Sequence, residues 1–486
     1  MLPKAVDSLP AGDFAQAPTD AGSLRSGARL SLAFDRGTLL VRGLDEEGAR
    51  GFNVADARFD PRVGALRAPA YRYAELILSL RSRGVSYEDL ARAYEKLDGI
   101  APPAREPRPY QSEAVSAWRA ASRRGVVVLP TGAGKTFVAV LAIADAARSA
   151  LVVTPTIDLL HQWYSVLAAS FPGRKIGAVG AGEFTVEPLT VTTYDSAYLH
   201  LDRLGDRFGL VVYDEAHHLP GATYALAAKL AIAPFRLGLT ATPPEAAGGA
   251  ESRLQDLVGP IVYRKEISEL SGEYLAPYEV VTVRVELEDD ERNRYEAARE
   301  RWRSFLDSRG IRLGGPGGWT RFLVEASRDA EGRAAFKAWR EQRRIALATP
   351  RKLDALERIL AGMKDERILV FTDENEAAYE VSSRFLVPAI THQTKPRERR
   401  AFLEGFASGA LPVLATSRVL NEGVDVPAAS VAVVLSGTST VREHVQRLGR
   451  ILRPAPGKLA ILYEVVTSGT TEEQVSARRR QHDAYQ

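Results

Sequence analysis

The chain has no cysteine among its 486 residues, which excludes disulfide bonds and thiolate metal sites. It also lacks an apolar stretch at the N-terminus of the kind that forms a signal peptide, and no apolar run approaches membrane-spanning length. We therefore expect a soluble, cytoplasmic protein with no membrane partner.

A large excess of one charge is missing as well, because 64 Lys and Arg residues stand against 61 Asp and Glu residues, for a net charge of +3. The molecule as a whole therefore has no strong attraction for a polyanion, and any basic surface must be local. Arginine outnumbers lysine. This bias suits two-point contacts with phosphate groups, although a GC-rich genome produces the same bias.

The patterns along the chain predict several domains, since a chain of this length accommodates about three. Residues 1–27, rich in Ala, Gly, Asp and Pro, are predicted to be a disordered tail. A proline-rich linker is predicted over 101–109. Between them, residues 28–98 are predicted to form a small α+β domain, with strands over 30–34 and 38–43 and helices over 73–84 and 86–97.

Two further domains, over 99–275 and 276–486, alternate near-continuous apolar strands with helical segments. That alternation is typical of a parallel sheet with helices on both faces, so the predicted fold class is α/β with two similar parallel-sheet domains. Near the start of the second domain, residues 286–347 are charged, helical and aromatic, with a glycine-rich break at 314–318. They predict an inserted helical hairpin.

Residues 126–136, VVVLPTGAGKT, indicate a buried strand that leads into a phosphate-binding loop. The two glycines carry no Cβ that would block a phosphate from the backbone amides, and the helix that follows adds the positive end of its dipole. Lys135 is predicted to reach the outer phosphates, and the Thr136 hydroxyl to ligate Mg²⁺. The sequence thus predicts a nucleoside triphosphate site with the loop residues Thr131, Gly132, Ala133, Gly134, Lys135 and Thr136.

A second motif, LVVYDEAHH over 210–218, places adjacent carboxylates at the end of an apolar strand. Open α/β sheets bind their ligands at this edge. Asp214 suits the role of Mg²⁺ ligand, and Glu215 suits positioning and deprotonating an attacking water. A zinc site at His217 and His218 lacks a third ligand at suitable spacing.

The segment QRLGRILRP, residues 446–454, places Gln446, Arg450 and Arg453 on one face of a helix. Such a face is either a solvated basic stripe or a source of arginines that reach a γ-phosphate across a cleft. The sequence leaves both interpretations open.

Three shorter motifs are also candidates. LGLTATP, residues 237–243, sets two threonines at a strand end. In NEGVDVP, Gly423 and Asp425 suit contact with a ribose or a nucleic-acid backbone. In RPYQ, Arg108 and Gln111 stand just ahead of the strands of the first parallel-sheet domain, and Gln111 suits either a hydrogen bond to an adenine edge or a structural role.

In this order, the blocks RPYQ, PTGAGKT, VVTPT, TTYDSA, DEAH, TAT, LVFTDENEAA, ATSRVLNEGVDVP and QRLGRILRP resemble those of superfamily-two helicases. The phrases VTTYDSAYLHLDRLGDRF, FRLGLTATP, PAITHQT and QRLGRILRPAPGK are similar to the XPB helicases, in particular the short archaeal and bacterial forms. The resemblance covers about residue 28 to the C-terminus.

This resemblance implies a damage-recognition domain over 28–98, two RecA-like motor domains, and a thumb insertion over 288–346. It further implies ATP- and Mg²⁺-dependent, three-prime to five-prime directed action on duplex or forked DNA, in repair or transcription, by a protein expected to be a monomer. The positions that match the family motifs residue by residue are Lys135, Thr136, Asp214, Glu215, His217, Gln446, Arg450 and Arg453.

One departure from the family pattern concerns strand separation. Family members carry Arg-Glu-Asp shortly after the TAT element, whereas this chain reads PPEAAGGAESRLQD there. This difference motivates an alternative function, a nucleotide-gated DNA clamp or remodeller that recruits a partner endonuclease and unwinds little.

Overall fold

The computed structural model describes residues 30–52, 54–100, 105–244, 249–314, 317–417, 429–436, 447, 449, 451–453 and 458–479. The predicted tail lies outside these residues. The chain divides into two compact units, one of residues 1–130 and 134–265 and the other of residues 131–133 and 266–486. The boundaries predicted at 98 and 275 stay predictions.

A small five-stranded sheet opens the first unit. Its strands lie in the order β3-β4-β2-β1-β5. The two strands predicted over 30–34 and 38–43 are confirmed, and they pair as an antiparallel hairpin. Arg36 and Gly37 supply the positive φ angles of 45° and 78° that its two-residue turn requires. The elements are β1 (Leu30–Asp35), β2 (Thr38–Arg42), α1 (Glu46–Arg50), β3 (Arg58–Asp60), β4 (Ala65–Pro69), a 3₁₀ turn (Ala70–Arg72), α2 (Tyr73–Ser82) and β5 (Tyr87–Asp89).

The helix predicted over 86–97 was wrong. Residues 87–89 instead form β5, which pairs in parallel with β1, and residues 90–98 contain no helix. The Asp89 carboxylate accepts a hydrogen bond of 2.5 Å from the Tyr73 hydroxyl. Pairing with the open edge of β1 satisfies the backbone groups that a helix would otherwise satisfy, so tertiary pairing overrides the local preference.

An eight-stranded sheet forms the rest of the first unit, in the order β13-β6-β12-β11-β7-β10-β8-β9. Only β9 among these described strands runs antiparallel to its neighbour. The central strands are fully buried, as their apolar sequences predict. The elements are α3 (Pro109–Ala120), β6 (Arg124–Val128), α4 (Lys135–Ala146), β7 (Ala150–Thr154), α5 (Ile157–Ser170), β8 (Ile176–Gly180), β9 (Glu183–Thr185), β10 (Leu189–Thr193), α6 (Tyr194–Leu204), β11 (Leu210–Asp214), a 3₁₀ turn (Ala216–His218), α7 (Leu226–Lys229), β12 (Phe235–Thr240), α8 (Ala250–Leu257) and β13 (Ile261–Arg264).

The small sheet is fixed to the larger one through polar contacts around α8. Asp256 accepts a hydrogen bond of 3.0 Å from the Tyr71 hydroxyl. It also forms an ion pair of 2.8 Å with Arg72. Next to them, the fully buried Arg236 of β12 donates to the carbonyls of Ala228, Ala231, Ala233 and Leu257. Four carbonyls satisfy this guanidinium, so its burial is tolerated without a carboxylate.

The second unit contains a six-stranded parallel sheet in the order β14-β19-β18-β15-β17-β16. The alternation of apolar strands and helices predicted for this part of the chain is present, and the α/β fold class with two parallel sheets is confirmed. The elements are α9 (Ile267–Leu270), β14 (Tyr278–Val285), α10 (Asp289–Ser308), α11 (Gly318–Arg328), α12 (Ala330–Leu347), α13 (Pro350–Gly362), β15 (Ile368–Phe371), α14 (Asn375–Phe385), β16 (Ala389–Ile390), α15 (Pro396–Ser408), β17 (Val413–Thr416), β18 (Val431–Val434), β19 (Ala460–Thr467) and α16 (Thr471–Arg479).

The insertion has three helices rather than the two of the predicted hairpin. α10 and α12 contact each other along their length, and the short α11 lies between them in the chain. Phe305 and Phe322 form a buried aromatic core, while Trp319 keeps 39% of its surface exposed. The Trp319 and Trp339 ring centres are 4.7 Å apart. The insertion is therefore a small folded body with tryptophan at its surface.

A buried ion pair ties α13 to α16 in the second unit. Both Lys352 Nζ–Glu472 carboxylate contacts measure 2.7 Å, and the two side chains are 2% and 3% exposed. The ammonium also donates to the carbonyls of Leu435 and Val465. All three ammonium protons therefore have acceptors.

Replacing this lysine by methionine should destabilise the second unit strongly. Lys352→Met leaves Glu472 as a buried charge without its cation, which costs about 3–5 kcal/mol of unfolding free energy. Urea titrations followed by circular dichroism measure the loss. Lys364→Met, in the exposed turn that follows α13, is the control and should stay within about 0.5 kcal/mol of the parent. Equal stability of the two variants would contradict a stabilising role of the Lys352–Glu472 pair.

Candidate nucleotide-binding site

The predicted phosphate loop follows β6 and ends where α4 begins at Lys135. Gly132 and Gly134 have φ angles of 88° and 82°, a left-handed conformation that favours glycine. A Cβ at Gly134 would lie 2.6 Å from Gln111 Nε2. Lys135 Nζ donates to the Leu129 carbonyl at 3.3 Å and so lies folded over the loop. The loop has the backbone geometry of an anion-binding cradle.

The Gln111 side chain is hydrogen-bonded to this loop. Its side chain is 1% exposed, its Oε1 accepts from the Arg108 amide at 3.0 Å, and its Nε2 donates to the Gly134 carbonyl at 3.4 Å. The Arg108 guanidinium donates to the Tyr110 hydroxyl at 3.1 Å. Gln111 therefore has a structural role in this conformation, and its contact with an adenine edge stays a prediction.

Asp214 ends β11 in the same sheet, and aromatic side chains from two helices orient it. Trp163 Nε1 on α5 donates to Asp214 Oδ2 at 2.8 Å, and the Tyr194 hydroxyl on α6 donates to the Asp214 carbonyl at 3.0 Å. Burial raises the pKa of Asp214 to about 6, with a further rise from the Glu215 charge; the Trp163 bond and the Lys135 charge oppose it. A carboxylate kept in a dry site gains strongly from a bound cation.

Glu215 adopts a left-handed backbone conformation, with φ of 47° and ψ of 53°. Such a conformation costs a non-glycine residue of order 1–3 kcal/mol. Glu215 Oε2 lies 3.5 Å from His217 Nδ1, which is 3.0 Å from Thr240 Oγ1 on β12. Thr240 in turn accepts from the Thr242 amide at 3.1 Å. The histidine thus connects the carboxylate to the threonine motif.

The two residues predicted to bind Mg²⁺, Thr136 and Asp214, carry suitable oxygen donors. β6 and β11 flank β12 in one parallel sheet, so their carboxyl ends lie at the same edge. The loop after β6 leads to Thr136 at the start of α4, and Asp214 ends β11. A hydroxyl and a carboxylate are the hard oxygen ligands that Mg²⁺ prefers. Among the described residues, no group of three or more His, Asp and Glu side chains forms a metal cluster, so a zinc site at the two histidines has no geometric support there.

The second unit carries the remaining candidates. Gln446, Arg450, Gly423 and Asp425 lie outside the described residues. Arg453 is described, and its carbonyl accepts a hydrogen bond of 3.0 Å from Lys458 Nζ. Burial lowers the pKa of Lys458 to about 8, and the charges of Arg367 and Arg453 lower it further.

Sequence reasoning missed Trp163 and Tyr194. Both lie in helices that follow the motif strands β7 and β10, and nothing in the local sequence distinguishes their aromatic rings from ordinary core residues. Both are buried to 1% exposure or less. Only the sheet order, which places β7 between β10 and β11, brings their polar atoms to Asp214.

A phosphate loop and an Asp-Glu pair at one edge of a parallel sheet, followed along the chain by a second parallel sheet, define a nucleotide-hydrolysing motor of the helicase class. Three family models match the chain. They are the Xeroderma pigmentosum group B helicase damage recognition domain over residues 32–91, the res subunit of type III restriction enzymes over 104–245, and the helicase conserved C-terminal domain over 351–455.

The DNA 3'-5' translocase XPB2 of Sulfurisphaera tokodaii is 43% identical over 376 residues, which cover 77% of this chain and 85% of that protein. The DNA 3'-5' helicase XPB of Mycobacterium tuberculosis is 33% identical over 393 residues, covering 78% of this chain and 64% of that protein. This chain belongs to the XPB family of superfamily-two helicases.

The helicase domain of Hef from Pyrococcus furiosus has a similar structure, with a TM-score of 0.53 over 78% of this chain and all of that domain. At 20% identity the likeness concerns the fold alone. Separately, none of the helices in the described ranges combines the length and apolar character needed to span a bilayer.

Proposed function

We propose that this protein is an ATP-dependent helicase or translocase that moves 3′ to 5′ on DNA. Its relatives are named DNA 3'-5' translocase and DNA 3'-5' helicase. One observation carries the chemistry: Asp214 ends a buried strand and Glu215 follows it directly, at the edge of the sheet that bears the phosphate loop. Membership of the XPB family supports DNA as the nucleic acid on which the protein moves.

In this proposal Lys135 neutralises the outer phosphates, and the loop amides of residues 131–135 cradle them. Thr136 and Asp214 hold Mg²⁺, which supplies charge neutralisation on the phosphates when it is bound. Glu215 accepts the proton of the attacking water, since a carboxylate suits that role at hydrogen-bonding distance from water. Gln446, Arg450 and Arg453 are proposed to act on the γ-phosphate, and Gly423 and Asp425 on the ribose or DNA backbone.

His217 is proposed to relay between hydrolysis and DNA. Its 3.0 Å contact with Thr240 joins the proposed catalytic carboxylate to the threonine motif. Thr240 lies on the same strand as Arg236, whose guanidinium carbon lies 5.9 Å from the centre of the Tyr71 ring in the turn that follows β4. In this proposal, a shift of Glu215 on ATP hydrolysis passes through His217 and β12 toward the domain that matches the damage-recognition model.

The clamp or remodeller function is not favoured, because the relatives are named helicases and translocases. The stretch that lacks Arg-Glu-Asp includes residues 245–248, which lie outside the described part of the chain. A monomeric state and a cytoplasmic location stay predictions from the sequence.

ATP turnover measured with no nucleic acid, duplex DNA, forked DNA, single-stranded DNA and RNA tests the proposal. We expect DNA to accelerate hydrolysis and RNA to have a smaller effect. Equal rates in all five conditions would reject a DNA-dependent motor.

The helical insertion is proposed to grip DNA. Residues 299–339 contain nine Lys and Arg residues against five carboxylates, and the exposed Trp319 offers a surface for base stacking. Replacing 299–339 by a short Gly-Ser loop should weaken DNA binding by about tenfold or more and reduce its dependence on salt. Fluorescence anisotropy with labelled duplex measures both quantities.

That replacement is designed to spare the base of the insertion. Tyr295, whose hydroxyl accepts a hydrogen bond of 2.8 Å from the Thr471 amide, stays in place with the end of α12. Basal ATPase should therefore be retained. Trp319→Ala alone separates stacking from charge, since it should weaken affinity for single strands without changing the salt slope. Unchanged DNA affinity after the replacement would reject the thumb role.

A further inference from the structure

Asp373 follows β15 in the second unit and is buried, although it carries a charge. Its side chain is 1% exposed, and its carboxylate pairs with the Arg343 guanidinium on α12 of the insertion. The adjacent Thr372 fixes this strand end, because its amide donates to the Thr416 carbonyl at 2.9 Å and its hydroxyl donates to the Glu374 carbonyl at 2.9 Å. Asp373 therefore sits at a rigid point of the sheet.

From Asp373 the contacts continue to the arginine-rich segment 446–454. The Asp373 amide donates to Ser436 Oγ at 2.8 Å, and Ser436 follows β18, the neighbour of β15. The Ser436 carbonyl accepts a hydrogen bond of 3.3 Å from Arg447, whose guanidinium carbon lies 5.3 Å from the centre of the Phe371 ring. Arg447 is 1% exposed.

Arg343 differs from the neighbouring arginine of α12. The side chain of Arg344 is 61% exposed and pairs with Glu341 on the same helix, a surface contact of little energetic weight. Arg343 instead joins two elements and pairs with a buried carboxylate, where removal of one partner is costly. The Arg343–Asp373 pair thus fixes the end of α12 against the strand that supports Arg447.

We propose that Arg343 and Asp373 are positioning residues that couple the insertion to the segment carrying Gln446 and Arg450. The four-residue network Arg343–Asp373–Ser436–Arg447, here called the coupling network, would shift that segment when DNA moves the insertion. Hydrolysis would then respond to DNA through the alignment of the arginines. This inference rests on the proposed function of the insertion and of the arginines.

The test compares Arg343→Gln, Asp373→Asn and the double variant in the full chain, with Arg344→Gln as the matched control. We expect Arg343→Gln and Asp373→Asn each to reduce the stimulation of turnover by duplex DNA about tenfold. The KM for ATP and the affinity for DNA should stay within about twofold of the parent, because neither residue contacts either ligand in this proposal. Arg344→Gln should keep full stimulation, and Arg343→Lys should restore part of it.

A double-mutant cycle distinguishes a network from two independent sites. Members of one network give a double variant no worse than the worse single variant, whereas independent sites give additive losses. Additive losses, or a fully stimulated Arg343→Gln, would overturn the coupling network. A parent protein whose turnover ignores DNA would instead reject the proposed function itself, so the two failures are distinguishable. Circular dichroism melts identify any variant that loses its fold, and Arg343→Lys then carries the comparison.

Discussion

Glu215→Gln should lower ATP turnover by about a hundredfold or more while ATP stays bound. The amide has the shape of the carboxylate and keeps a polar group beside His217, 3.5 Å from the native oxygen. It cannot take a proton from the attacking water, so the effect falls on the chemical step. Steady-state turnover and equilibrium binding of a fluorescent ATP analogue measure the two parts separately.

Lys135→Ala provides the contrast, because it removes the phosphate contact and should weaken ATP binding itself. Glu183→Gln, on the exposed β9 of the same sheet, is the matched control and should behave as the parent. Normal turnover in Glu215→Gln would remove Glu215 as the base.

Arg450→Ala and Arg453→Ala should each lower turnover by up to about a thousandfold, the effect of losing an arginine that stabilises the transition state. The affinity for ATP should change less, because the contact matters most when charge develops on the γ-phosphate. Single-turnover measurements at saturating ATP separate this loss of rate from a loss of binding.

Arg358→Ala on α13 is the control for these two variants, since its side chain donates only to the Asp354 carbonyl of its own helix among the contacts described. If residues 99–275 alone hydrolyse ATP as fast as the whole chain, the arginines of the second domain have no part in the site. If only one of the two variants loses activity, that residue is the arginine that reaches the phosphate.

The parallel strands could be predicted because their residues are apolar without interruption and end in motif residues. LVVYD, FRLGLT and ILVF are buried strands, as their composition indicates. β14 was harder to predict, because this edge strand is half-exposed and its sequence, YEVVTVRV, mixes charged with apolar residues. The helix predicted over 86–97 failed for a related reason, since pairing with β1 decided the structure of residues 87–89.

The sequence by itself determined the fold class, the phosphate loop and the carboxylate pair, because strand periodicity and glycine spacing are local properties of a few consecutive residues. Tertiary structure alone decided what orients these groups. Along the chain, 51 residues separate Trp163 from Asp214, 23 separate His217 from Thr240, and 30 separate Arg343 from Asp373, yet each pair is in contact. Such pairs depend on the order of strands in the sheet and the packing of helices on it, and the side chains involved carry no local mark of their partners.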